Sequence, residues 1–219
     1  MSVVWPRRAS GLPPGQRLLG EMPRFTDKPF AAPPPSPPDL DLTISVDRAP
    51  RAVVGPDLLA SLGPREFVAD FHCVTTWSVT GLVWTGTPLC EVFAAVGIEA
   101  PPAPYLVARS TDHRRGHFLA TDAFADDVIV ATHLDGQPLA ARHGGPVRLV
   151  APRHYGYKSI KHLIALEFRS DPPQRLGKEH LRGRVDQEER HPTWPGWLLR
   201  IPYRLLIPPT AFLAERAIH

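Results

Sequence analysis

Cysteine, methionine and aromatic residues are scarce in this 219-residue chain, which has two cysteines, two methionines and 8% Phe, Trp and Tyr. Cys73 and Cys90 form no CxxC pair, so a disulfide framework and a thiolate-rich metal cluster are excluded and each thiol must be explained singly. Excess charge is also lacking. Lys and Arg number 25 against 22 Asp and Glu, a net charge of +3, so no polybasic face for nucleic acid is expected. Long apolar runs are absent as well. The best stretch, 197–214, is broken by Arg200, Arg204, Pro202, Pro208 and Pro209, short of the roughly 18 apolar residues a spanning helix needs. Arg7 and Arg8 are not followed by an apolar segment, so no export signal is read and a cytoplasmic location is expected. GGP at 144–146 is not a dinucleotide-binding fingerprint, and no internal repeat is seen.

Proline is the residue present in excess. Its 27 copies are more than twice the usual share of about 5%, and APPPSPP at 32–38 favours extended, irregular backbone. Residues 1–38 therefore read as a Pro-rich arm, 39–175 as the domain proper, and 176–219 as an extension packing on the domain or on a partner.

Within the domain, Leu40, Leu42, Ile44 and Val46 alternate with polar residues, the period of a half-buried strand. Leu58, Leu59 and Leu62 predict a short helix over 56–62. Residues 66–74 read as extended, which puts Cys73 at a strand end or in the loop after it. Thr87 as N-cap and Pro88 at the first helical position predict a helix carrying Leu89, Val92, Phe93 and Val96 and ending at Gly97. Cys90, inside it, reads as a small buried apolar residue. Further strands are expected at 105–110, 128–134, 147–151 and 162–168. The fold class is α+β, dominated by strands.

Chemistry concentrates in two places. Cys73 stands in FHCVTTWS at 71–78, and on composition alone its thiol could be a nucleophile, a redox switch or a metal ligand. The segment RLVAPRHYGYKSIKHL at 148–163 joins cations, hydroxyls and a glycine, a set suited to an anion: Arg offers a planar fork, Lys a point charge, and Gly156 close backbone approach. A solvated basic strand rim has the same composition.

HC followed by VT and WS, then GGP with RLV, then YGYKSIK before an apolar strand, is an ordered set. It resembles the molybdenum-cofactor domain of the sulfite oxidase family over residues 39–170. The resemblance implies a mixed-sheet α+β domain holding one Mo-molybdopterin, with Cys73 as the thiolate ligand to molybdenum. It also implies pterin and phosphate contacts from Arg148, Ser159, Ile160 and Lys161, with Ser110 and His143 at further contact positions. His72 would touch the cofactor only if its strand has ended. Arg24, Phe25 and Thr26 are candidates for an upstream pterin-binding loop, and Trp77 reads as packing.

The implied activity is a two-electron oxygen-atom transfer on a sulfite-like oxyanion or an S- or N-oxide, with electrons exchanged with an external carrier such as a haem or cytochrome protein. Arg109, Arg114, Arg115, Arg153 and His154 are candidates for a cationic substrate pocket. Residues 194–214 form a candidate contact with a membrane surface or membrane subunit. The alternatives are a catalytically degenerate cofactor-binding module serving in an assembly, and a thiol redox protein, which would lack a resolving cysteine near Cys73.

Overall fold

The computed structural model describes residues 3–4, 11–20, 22–23, 41–173 and 179–205. Among these lie twelve strands: β1 (Val3–Val4), β2 (Arg17–Leu18), β3 (Leu42–Val46), β4 (Ala49–Val54), β5 (Arg65–His72), β6 (Trp77–Pro88), β7 (Tyr105–Ser110), β8 (Arg115–Leu119), β9 (Ile129–Leu134), β10 (Gln137–Pro138), β11 (Arg148–Val150) and β12 (Leu163–Arg169). Four short helices accompany them: α1 (Pro56–Ser61), α2 (Leu89–Ala95), α3 (Ala120–Ala123) and α4 (Arg200–Leu205). No helix among the described residues is long and apolar enough to cross a membrane.

The strands form two sheets. One runs β1-β5-β6-β9-β10, with β2 added on β6 and β11 on β9; the other runs β4-β3-β12-β7-β8. In the second, β12 is parallel to β3 and antiparallel to β7, so the sheet is mixed and the fold is α+β. The Pro-rich arm contributes β1 and β2, each pairing in parallel with a strand of the first sheet.

The predicted strands at 105–110, 128–134, 147–151 and 162–168 correspond to β7, β9, β11 and β12. The helix start differs from expectation. Thr87 lies in β6, Pro88 is the capping residue with extended backbone, and the Leu89 N–H is satisfied at 2.7 Å by the carbonyl of Val128 rather than by a side chain. Cys90 is half-buried, not buried. Three strands give little sequence signal. Buried residues of β6 do not alternate cleanly and Gly81 takes a left-handed φ of 73°, while β4 is an exposed edge and β8 is short.

Alternation along β9 and β11 divides the core. Val130 and Leu149 face a cluster shared with α2 and the second sheet, including Leu89, Phe93, Leu166 and Phe168, whereas Ile129, Ala131 and Val150 face a cluster containing Phe71, Cys73, Trp77 and Trp84. Because Arg148 has the parity of Val150, its side chain falls on the Cys73 side. The parity of Phe71 and Cys73 in and just after β5 brings them to the same place.

Phe168 is fully buried, with ring centroids 4.9 Å from Phe93 and 6.0 Å from Phe124. Phe168→Ala is expected to cost about 3–5 kcal/mol in urea unfolding, and a loss below ~1 kcal/mol would contradict this packing.

Candidate cofactor site

β5 ends at His72, and residues 73–76 turn the chain into β6. The turn is closed by the Cys73 N–H donating to Trp77 O at 2.8 Å and the Thr76 N–H donating to Cys73 O at 3.1 Å. Thr76 takes a φ of 79°, a left-handed conformation that costs a β-branched residue about 1–3 kcal/mol and persists only where surroundings enforce it. The Cys73 side chain is buried, with Sγ 3.1 Å from Thr75 Oγ1. Burial pushes the thiol pKa up, while the hydrogen bond with Thr75 and the charges of Arg190 and Lys161 act in the opposite direction. His72 is engaged with β6: its Nδ1 lies 2.8 Å from Ser78 Oγ, and burial lowers its pKa. Trp77 is buried and stacks on Phe71 with centroids 5.7 Å apart.

Arg148 lies against the same cluster. It is 1% exposed, its guanidinium sits 5.3 Å from the Phe71 ring and 5.2 Å from the Trp84 ring, and it donates to His143 O at 3.0 Å and Ser159 O at 3.2 Å. No carboxylate among the described residues pairs with it, its Nε has no hydrogen-bond partner among them, and burial pulls its pKa down to about 9. His143 ends a 3₁₀ turn, Ala141–His143, and accepts from Arg142 Nε at its Nε2, 2.9 Å away. In the neutral ring Nδ1 then carries the proton, and it too lacks a partner among the described residues. Burial first, then the charges of Arg142, Lys161 and Arg148, hold the His143 pKa at about 4.

The Ser159-Ile160-Lys161 segment closes this region through backbone and side-chain groups. Leu149 N–H donates to Ile160 O at 2.8 Å, Ser159 Oγ accepts from Ala151 N–H at 3.1 Å, and Lys161 Nζ reaches Arg142 O at 2.9 Å. Gly144, at φ 100°, packs so closely on Lys161 that a Cβ would lie 2.6 Å from the lysine Cβ. Ser110 is buried in a tight turn, donating to Asp112 and accepting from Arg114 N–H at 3.2 Å, and the neighbouring Thr111 N–H donates to His162 O at 3.1 Å. Structure thus brings together Cys73, His143, Arg148, Ser159 and Lys161 through shared neighbours, with Ser110 attached through His162. Arg24, Phe25 and Thr26 lie outside the described residues.

The other predicted cations are held by acids. Arg109 pairs with the buried Glu167, and Arg153 grips Asp127 with two bonds of 2.5 and 2.8 Å. His154 is buried, with Nε2 3.6 Å from Asp122 Oδ2. Arg114 and Arg115 line a cavity of about 290 Å³ with Asp112, Tyr157, Ile160 and Glu179. Behind it Lys158, fully buried, donates to Leu181 O at 2.5 Å and to His117 O; burial draws its pKa down to about 7 and lifts that of Glu179 to about 7.

Two residues at the turn carry no local sequence signal. Gln16, from the arm, donates from Nε2 to Cys73 O at 3.2 Å, and Arg190, from the C-terminal extension, donates to Val74 O at 2.5 Å. Both contacts span long sequence separations, so only the folded chain reveals them.

The arrangement suits an anionic cofactor that brings its own donors to a metal. A buried guanidinium with no carboxylate partner among the described residues and an imidazole N–H likewise unpartnered among them fit an anion, and one buried thiol fits a soft metal, while no group of three His, Cys, Asp or Glu side chains able to hold an ion stands among the described residues. Fold and site together define a mixed-sheet cofactor-binding redox domain. The chain belongs to the oxidoreductase molybdopterin binding domain family, of the sulfite oxidase type, which it matches over residues 31–176. It is 31% identical over 135 residues to the uncharacterized oxidoreductase YuiH of Bacillus subtilis, covering 60% of this chain and 67% of that protein. It is 32% identical over 133 residues to the protein-methionine-sulfoxide reductase catalytic subunit MsrP of Xanthomonas campestris, covering 54% of this chain and 41% of that one, so it spans about two fifths of that relative. The sulfane dehydrogenase SoxCD from Paracoccus pantotrophus shares the fold, with a TM-score of 0.52 and 21% identity over 60% of this chain and 38% of that one.

His143 and His117 are both held at about 4, chiefly by burial, against 6.5 for an unperturbed imidazole. Between those values these two imidazoles bind protons in the unfolded chain that they refuse in the folded one, so their contribution to stability is full above about pH 6.5 and falls as pH drops toward 4. Urea midpoints measured at pH 7.5 and 5 should show this loss, and His143→Asn, which cannot titrate, should show a smaller one; an equal loss in the variant would remove His143 from the account.

Proposed function

We propose that this chain is a molybdenum-cofactor oxidoreductase that reduces S-oxides by two-electron oxygen-atom transfer, with Cys73 as the one protein ligand to the metal. The carrying observation is the buried Cys73 thiol set beside the cations Arg148 and Lys161 and the neutral, buried His143, in a chain whose relatives include a methionine sulfoxide reductase. The overall change is S-oxide plus two electrons and two protons giving the sulfide and water. The cofactor, when bound, supplies the two-electron redox step and the acceptor for the oxygen atom.

The rest is done by the chain. Cys73 would give up its proton on metal binding and donate as a thiolate, and the nearby cations would favour that form. Arg148 and Lys161 would hold the pterin and its phosphate by charge, His143 through its Nδ1–H, and Ser110, Ser159 and Ile160 through hydroxyl and backbone groups. Burial of the turn would keep bulk water from the thiolate. Electrons would come from a haem or cytochrome-type carrier or a membrane subunit. Support comes from the word "subunit" in the relative's name and from an exposed apolar face of Trp194, Trp197, Leu198, Ile201 and Leu205, each 45–72% exposed. The remainder of the candidate contact segment, 206–214, lies outside the described residues.

The test is metal analysis of protein made in a host that synthesises molybdopterin, followed by S-oxide reduction with a chemically reduced dye. Wild type should carry about one molybdenum per chain, and Cys73→Ala, which removes a direct ligand, should lose more turnover than the roughly 10–100-fold that loss of an outer partner of a metal ligand costs. No molybdenum in wild type would sink the proposal. Bound molybdenum with turnover of sulfite but not S-oxides would move the substrate to sulfite, and no turnover of either would leave a degenerate binding module.

A further inference from the structure

The family match covers residues 31–176, yet the backbone of the Cys73 turn is held largely by side chains from outside it. The turn's internal hydrogen bonds leave Val74 O unused. Arg190 fills that position at 2.5 Å and with its other terminal nitrogen holds Pro14 O at 3.1 Å, contacts that reach 116 and 176 residues along the chain. Its side chain is fully buried, stacked 4.8 Å from the Tyr155 ring, with Glu188 Oε1 3.5 Å from its Nε. Gln16 makes the second tie. Its Nε2 donates to Cys73 O, while its Oε1 accepts from Ser78 Oγ at 3.1 Å, the hydroxyl that also meets His72 Nδ1. Beside it, Arg17 N–H donates to Thr76 O at 2.9 Å and Leu19 N–H to Ser78 O at 2.8 Å, so the arm runs along the whole turn.

We infer that Arg190 and Gln16 are positioning residues for Cys73, clamping the carbonyls of Val74 and Cys73 and so fixing the direction in which the sulfur meets the metal. A buried guanidinium is costly, and aliphatic packing would fill the same volume more cheaply. What it supplies here is a planar fork able to hold two carbonyls from remote segments at once, which a lysine cannot reproduce. The clamp also supplies the restraint that the left-handed Thr76 requires, since a strained turn keeps its shape only when its neighbours over-determine it. The inference rests on Cys73 being the ligand.

Two measurements on the full chain test it. In metal-free protein, hydrogen exchange of the 71–78 peptide should quicken about tenfold in Arg190→Met and in Gln16→Met, the effect of losing one buried hydrogen bond on a local opening. Arg182→Met, which removes the Arg182–Glu189 ion pair of the same extension and leaves the Glu188–Arg190 pair in place, should leave that peptide unchanged. In molybdenum-loaded protein, the Mo(V) electron paramagnetic resonance g-values of Arg190→Met should shift from wild type at equal metal content, and Arg190→Lys should not restore them. Unchanged exchange and unchanged g-values in the Arg190 and Gln16 variants would overturn the inference. If Arg190→Met does not fold, Gln16→Met decides alone. Exchange needs no metal, so failure of the molybdenum reading and failure of the clamp are separable.

Discussion

A guanidinium taken out of water, with no carboxylate among the described residues to meet it, is the constraint on which the rest of this site depends. Arg148 has two carbonyls, two aromatic faces and an Nε with no partner among the described residues, and its depressed pKa records what burial costs it. Removing a charge from water costs several kcal/mol after relaxation, and neutral acceptors recover only part of that. A protein selected only for stability would place an aliphatic residue here. Retention of the charge makes sense where an anion completes the set, and His143 is depressed by burial first, as Arg148 is, and then by the charges of Arg142, Lys161 and Arg148.

Strand parity delivers that charge to the thiol. β11 is only three residues long, yet pairing with β9 in a fixed register sends Leu149 into one cluster and Arg148 into the other. A shift of one residue would bury Leu149 beside Cys73 and turn Arg148 into the main core. The register is held from two directions: by the ladder to β9, and by Leu149 N–H donating to Ile160 O from the segment that carries Ser159 and Lys161. The site is therefore specified by backbone pairing before any side chain is chosen.

Sequence showed those parts of the molecule whose causes are local. The alternation of Leu42, Ile44 and Val46 in β3, the apolar spacing in α1 and α2 and the position of Cys73 just after β5 depend on neighbours a few residues away and appear as read, although Leu40 lies outside the described residues and α2 stops one residue short of Val96. The long β6 stayed hidden because a strand buried on both faces loses its alternation, and Thr87 was read as a cap because Ser, Thr and Pro near an apolar helix carry that signal wherever they occur. Arg109 and Arg153 read as free cations because the acids that hold them, Glu167 and Asp127, lie 58 and 26 residues away. Arg190 and Gln16 were illegible for the same reason in a stronger form: neither belongs to a motif, and their partners are backbone carbonyls, which every residue has.

The two motifs, some eighty residues apart, are joined into one object at Gly156. Its N–H donates to His72 O at 2.7 Å, bringing the loop of Tyr155 to Lys161 against the end of β5, and a Cβ on Gly156 would lie 2.2 Å from Phe71 Cζ. Only a residue without a side chain permits that approach, because a packed aromatic ring buried among neighbours cannot retreat as the end of a flexible chain would. Phe71 in turn stacks on Trp77 at the far side of the Cys73 turn and lies under Arg148. A displacement of the basic loop is thereby transmitted to the ring, and from the ring to both the thiol turn and the buried guanidinium. The end of the site suited to a metal and the end suited to an anion are thus set by the same contacts, so the spacing between them is a property of the core.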